Sequence, residues 1–229
     1  MDKQLTQTEI EKQNAAREAV KFIKDNDIVG LGTGSTAYFA IHEVALLVKK
    51  GLNIKGVPTS EHTASLAKSL GIEMLDINQV QSIDLTIDGA DEFDAHLNLI
   101  KGGGGALFRE KIVASMTKKE IIIADSGKLV DKLGAFRVPL EVLPLALNYV
   151  QGQLPKYQGK GYLRMKDGAP YITDNHNYIV DADFGPIEDA ASLSEQLNRV
   201  EGIVAHGLFV NLAAMVIQGK GSETIVYTK

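Results

Sequence analysis

The chain has no cysteine among its 229 residues. A disulfide framework and thiol catalysis are therefore excluded, and a structural zinc site loses its commonest ligand. There is no basic excess either: Lys and Arg number 24 against 29 Asp and Glu, a formal net charge of -5. Without a basic footprint, no nucleic-acid partner is expected. No apolar run reaches membrane-spanning length, and the charged opening "MDKQLTQTEIEKQNAAREAVKFI" has no apolar signal core. No membrane partner is expected, and the cytoplasm is the expected location. With six prolines and few long polar runs, disorder is not expected. Low-complexity tracts and internal repeats are missing too. What is present is a 45% apolar fraction, enough for a sizeable core in one large domain or one domain plus a smaller one.

The pattern along the chain predicts alternation. Residues 6–24 read as an amphipathic helix, with Thr6 or Thr8 as candidate cap. A buried strand at 28–31, a glycine turn and a helix over 35–50 follow. "NIKGVPTS" reads as a second strand, and "EHTASLAKSLG" as a helix closed by Gly71. Strands are expected at 83–87 and 120–124, with the helix "GGALFREKIVASM" between them. Strands apolar on both faces, separated by helices, imply a parallel sheet covered on both sides. Polar motifs follow each strand, so they converge on one sheet edge, where such folds bind ligands.

After Phe136 the texture changes to strand, helix, strand, a hairpin turn at 166–168, strand, helix, strand. The expected division is 1–132 for the main domain, 133–205 for a small α+β domain, and 206–229 returning to the main one. The final stretch, "LFVNLAAMVIQGKGSETIVYTK", reads as a short apolar helix and a last strand.

"GLGTGSTA" at 30–37 matches the dinucleotide fingerprint only partly, and no ribose-binding acid follows the second strand. A helix beginning at Ser35 aims free N–H groups at an anion, beside the Thr33, Ser35 and Thr36 hydroxyls. The loop reads as a phosphate site or as a tight turn. Walker A is absent. In "KGGGGAL", four bare glycines let backbone approach a ligand closely, or form a passive linker. Asp88, Asp91, Glu92 and Asp94 crowd a strand end. Close carboxylates raise one another's pKa and suit proton transfer; they equally suit Mg²⁺, or a solvated turn, above all for Glu92 and Asp94. Lys101 reads as a surface lysine or as charge for an oxyanion, and Lys128 as a phosphate partner. The five histidines, at 42, 62, 96, 176 and 206, form no metal-ligand spacing and read as structural. A serine-hydrolase G-x-S-x-G is missing.

Taken in order, "GLGTGSTA", "DGADE" at 88–92, "KGGGGALFREK" at 101–111 and "GIVAHGLF" at 202–209 resemble the motifs of the type A ribose-5-phosphate isomerases. The resemblance spans nearly the whole chain. It implies a Rossmann-like three-layer domain with a mostly parallel sheet plus a small ferredoxin-like α+β lid, assembled as a homodimer or homotetramer. It also implies reversible isomerisation of ribose 5-phosphate and ribulose 5-phosphate, without metal or organic cofactor. Carried over by motif, Glu110 is the base between C2 and C1. Asp88 serves the sugar hydroxyl and ring oxygen, and Lys101 stabilises the enediolate. Asp91 bonds sugar hydroxyls, and Gly102, Gly103, Gly104 and Gly105 supply N–H groups. Gly32, Thr33, Gly34, Ser35, Thr36, Lys128 and Lys12 bind substrate around the phosphate. Phe108 stands where the family often has a small polar residue. The rival readings are another sugar-phosphate isomerase, a deaminase or acyl-CoA transferase of similar fold, and a non-catalytic sugar-phosphate sensor.

Overall fold

The computed structural model describes residues 5–229. Helix α1 (Gln7–Ala19) is capped by Thr6, whose hydroxyl accepts from the Glu9 N–H while the Glu9 carboxylate accepts from the Thr6 N–H. A 3-10 turn over Val20–Phe22 ends it short of the expected 24. Then come β1 (Ile28–Leu31), α2 (Ser35–Lys49), β2 (Lys55–Pro58), α3 (Glu61–Ser69) and β3 (Glu73–Met74). Gly71, at φ +86°, follows the cap of α3 as expected. Strands β4 (Leu85–Gly89), β5 (Glu92–Phe93) and β6 (Leu99–Ile100) precede α4 (Leu107–Ser115) and β7 (Glu120–Ala124). The second half holds β8 (Val138–Val142), α5 (Leu147–Gln153), β9 (Lys160–Leu163), the hairpin β10 (Met165–Lys166) and β11 (Ala169–Pro170), and β12 (Tyr178–Asp183). It continues with α6 (Ala190–Leu197), β13 (Ile203–His206), β14 (Leu208–Phe209), β15 (Ala213–Lys220) and β16 (Glu223–Thr228).

The main sheet has the order β16-β15-β7-β4-β1-β2-β3. Its pairs are parallel except β15–β16. All five residues of β7 are buried, as a strand covered on both faces requires. The small sheet has the order β13-β8-β12-β9, wholly antiparallel. With α5 after its first strand and α6 after its third, this is the ferredoxin-like β-α-β-β-α-β arrangement. Its hairpin turns at Asp167 and Gly168, both with positive φ, where the D-G pair predicts it.

Helix α4 lies between the two sheets. Val113 packs with Val57 and Ile83 on the main-sheet side, while Leu107 packs with Ile179 and Ala205 of the small sheet. Both layers therefore fix its position.

Two expectations are corrected. The third strand runs Leu85–Gly89 rather than 83–87, because Asp88 and Gly89 still pair with Ile122 and Ile123. The apolar stretch near the end is not a helix. It is β15, docked parallel on β7, and it turns back as β16. A short apolar run has no decisive period, and burial against β7 settles it as strand. Glycine makes that packing tight: a Cβ at Gly219 would lie 2.0 Å from the Glu11 carbonyl oxygen of α1. The Glu11 carboxylate also accepts from the N–H groups of Ser126 and Gly221, tying α1 to two loops. Gly219→Ala is expected to lower unfolding free energy by about 1–3 kcal/mol in urea titration. A loss below about 0.5 kcal/mol, the scale of an ordinary surface change, would mean that α1 and β15 are not in this contact.

Candidate active site

The ends of β1, β4 and β7 open on one edge, as a parallel sheet dictates. A cavity of about 260 Å³ lies there. Of the site residues that the family resemblance implies, all line it except Gly32, Asp88 and Gly105.

The first glycine loop forms one end. Gly34, at φ +107°, is the N-cap of α2 and offers no side chain, so the first N–H groups of the helix stay open. Ser35 and Thr36 follow at the wall. The Thr33 hydroxyl donates to Ser60 Oγ at 2.9 Å and lies 2.7 Å from the Thr59 hydroxyl, which pins the loop to the end of β2. Lys12 Nζ donates to Ser35 Oγ at 2.9 Å and lies 3.8 Å from Asp125. Lys128 completes this end and has no ion pair among the described residues. Hydroxyls, two ammonium groups and a helix N-terminus together suit a phosphate.

Lys101 and Glu110 form the other end, with Asp88 behind Lys101. Lys101 is 2% exposed, with Nζ 3.0 Å from Asp88 Oδ2 and 3.6 Å from Glu110 Oε1. It also donates to the Gly89 carbonyl at 2.5 Å. Burial disfavours its charge, but attraction to Asp88 and Glu110 prevails, and its pKa is raised. Asp88 accepts from the N–H groups of Thr33 and Gly89 as well. It sits beneath Lys101 rather than in the wall. Gly32 is needed for this, because a Cβ there would lie 2.0 Å from Asp88 Oδ1.

Glu110 stands in the first turn of α4, 5% exposed, and its Oε2 has no partner among the described residues. Burial pushes its pKa up; Lys101 pulls it back, and Asp88 and Asp91 raise it again, to about 8. Glu120, a buried acid that sequence reasoning passed over, is also pushed well up, first by burial and then by Asp88.

The crowded acids diverge. Asp91 accepts from the Gly103 N–H at 2.8 Å. Glu92 is not a solvated turn residue: it is buried and holds the N–H groups of Gly134 and Phe136. Asp94 closes its own turn through His96 and Asn98. Pointed in separate directions, they do not make a cation cage.

Sequence reasoning also missed Lys111, Arg164 and Tyr171. Lys111 Nζ donates to the carbonyls of His206 and Leu208 at 2.6 and 2.9 Å, while the Lys101 N–H donates to Gly207. Lys101 and α4 are thus referenced to one segment. Burial takes the Lys111 pKa down to about 7, and burial together with Lys111 takes His206 to about 3, so His206 is a neutral structural residue. Arg164 and Tyr171 reach the second glycine loop from the small sheet. No local spacing signals a contact made across sixty residues.

A model of the ribose 5-phosphate isomerase A (phosphoriboisomerase A) family matches residues 55–223. The ribose-5-phosphate isomerase A of Desulfatibacillum aliphaticivorans is 48% identical over 217 residues, covering 93% of this chain and 94% of that protein. Among solved structures, a D-ribose-5-phosphate isomerase in complex with phospho-erythronic acid superposes with a TM-score of 0.95 at 39% identity, covering 98% and 100% of the two chains. Ribose 5-phosphate isomerase A from Methanocaldococcus jannaschii gives 0.91 at 37% identity, covering 95% and 98%. With both its sequence and its fold matched over nearly the full length, the chain belongs to the ribose 5-phosphate isomerase A family.

Proposed function

We propose that this chain interconverts D-ribose 5-phosphate and D-ribulose 5-phosphate through an enediolate, a step of the non-oxidative pentose phosphate pathway. The observation that carries the reading is Glu110: a buried carboxylate with one free oxygen in the cavity, 3.6 Å from a buried ammonium. A base that takes a proton from C2 and returns it to C1 needs such a raised pKa and such a neighbour. Lys101 stabilises the negative charge that forms on the substrate oxygen. Asp88, expected at the ring oxygen, acts through Lys101 by holding that ammonium in place. Asp91 and the glycine loop bond the sugar hydroxyls. The helix start at Ser35 and Thr36, with Lys12 and Lys128, holds the phosphate. No group of three or more His, Asp or Glu suited to a metal occurs among the described residues, and the steps above use none. A non-catalytic sensor would have no use for a buried base beside a buried cation.

Glu110→Gln is expected to lower kcat by about 10³-fold in a ribose 5-phosphate assay run with EDTA, while phospho-erythronic acid still binds. A rate within about tenfold of wild type, well short of the usual general-base contribution, would remove Glu110 from the chemistry.

Glu110 works only when ionised. Since its pKa is raised to about 8, kcat/KM is expected to rise with pH towards that value and then level off. Asp91 repels the ionised form, so Asp91→Asn is expected to move this limb to lower pH. A limb that stays put or moves upward would contradict the electrostatic account.

We also read the protein as a cytoplasmic homodimer or homotetramer, as the family resemblance implies. Leu143, Leu145 and Tyr149 expose apolar surface suited to such contacts, Leu145 being 92% exposed. Light scattering is expected to give at least twice the 24.8 kDa chain mass; a monomer mass would refute this.

A further inference from the structure

The second glycine loop is shaped from outside the cavity. Arg164 follows β9 in the small sheet. Its Nη1 donates to both the Gly102 and Gly103 carbonyls, each at 3.0 Å. Its Nε and Nη2 donate to the two oxygens of Asp181 on β12, at 3.0 and 2.5 Å. One guanidinium therefore spans a strand and a loop, its plane fixed by a two-point carboxylate pair. The Tyr171 hydroxyl adds a bond to the Gly104 carbonyl at 3.2 Å.

Peptide planarity carries the consequence into the cavity. In a trans peptide, the C=O and the next N–H point in opposite directions. Arg164 holds the Gly102 carbonyl, so the Gly103 N–H must point away from it, and there it meets Asp91 at 2.8 Å. Tyr171 holds the Gly104 carbonyl, and the Gly105 N–H turns back to Gly102 at 2.9 Å. Arg164 also holds the Gly103 carbonyl. The Gly104 N–H must then point away from the small sheet, and Gly104 lines the cavity. Among the described residues no acceptor meets it.

We propose that Arg164, oriented by Asp181, is a positioning residue for the isomerisation: by gripping two loop carbonyls it aims the Gly104 N–H into the cavity, at the bound sugar. This rests on the cavity being the isomerase site. Glycines have no side chains to set their own peptide planes, so the orientation has to come from a partner. A fixed donor needs no reorganisation as charge develops, which is where such donors contribute most to rate.

The test compares wild type, R164Q, R164K and D181N. R164Q is expected to lose about 100-fold in kcat with KM for ribose 5-phosphate changed less than about threefold, a small fraction of that loss. R164K keeps the charge without the fork and is expected to recover only part of the rate. D181N keeps the guanidinium but releases its plane, and is expected to fall between R164K and wild type. Calorimetry separates this from the function itself. R164Q should bind phospho-erythronic acid about tenfold more weakly, the scale of one lost bond to a charged group, while inorganic phosphate binds as in wild type. Full rate in R164Q would overturn the proposal. So would full recovery in R164K, or an equal loss of both ligands, since the first makes charge sufficient and the second signals general disruption.

Discussion

A lysine buried between two buried carboxylates is the constraint on which the rest of this structure depends. Taking an ammonium out of water costs several kcal/mol after relaxation, about the net stability of many domains. Lys101 is tolerated because Asp88 and the Gly89 carbonyl meet it on one side and Glu110 stands on the other. The neighbourhood follows from that requirement. Gly32 is bare so that Asp88 fits. The segment at 206–208 takes the Lys101 N–H and anchors Lys111, so that α4 presents Glu110 at the right height. The arrangement gives the ammonium one fully engaged acid and leaves the second with a free oxygen. That asymmetry separates the two carboxylates: one is engaged by the lysine and two backbone N–H groups, and the other keeps an oxygen open.

The buried acid that lines the cavity with a free oxygen lies outside the crowded stretch. Asp91, Glu92 and Asp94 each accept from backbone N–H groups, which ties them to particular loops. Those bonds fix where each of the three carboxylates points. Glu110 receives no such bond to Oε2, and desolvation keeps it basic.

Much of this was legible in the sequence because it was local. Strand alternation, the glycine loops and the polar residues after each strand depend on short-range periodicity, and they gave the parallel sheet and the edge where the cavity lies. The ordered motifs fixed the family. What was not legible depended on long-range packing. The final apolar run reads equally as helix or strand until β7 is beside it. Glu92 resembles its solvated neighbours until the 134–136 segment folds onto it. Glu120 gives no sign, within a strand of isoleucines, that it sits near Lys101. Arg164 lies in an unremarkable polar alternation, and only the antiparallel pairing of β9 with β12 brings Asp181 to it and turns both toward the glycines.

The two glycine loops use the same residue for opposite ends. In the first, Gly34 leaves the α2 terminus without a side-chain cap, so its donors remain open toward the cavity. In the second, the carbonyls are taken up from the far side and the N–H directions are thereby set. The small sheet is consequently part of the site's frame. It also packs against Leu107 at the start of α4, and its loop at Asn175 accepts from Arg109, the residue before Glu110. A small sheet free to swing would have to break these bonds. The contacts that hold the small sheet to the main one are therefore the same contacts that set the second glycine loop and the start of α4.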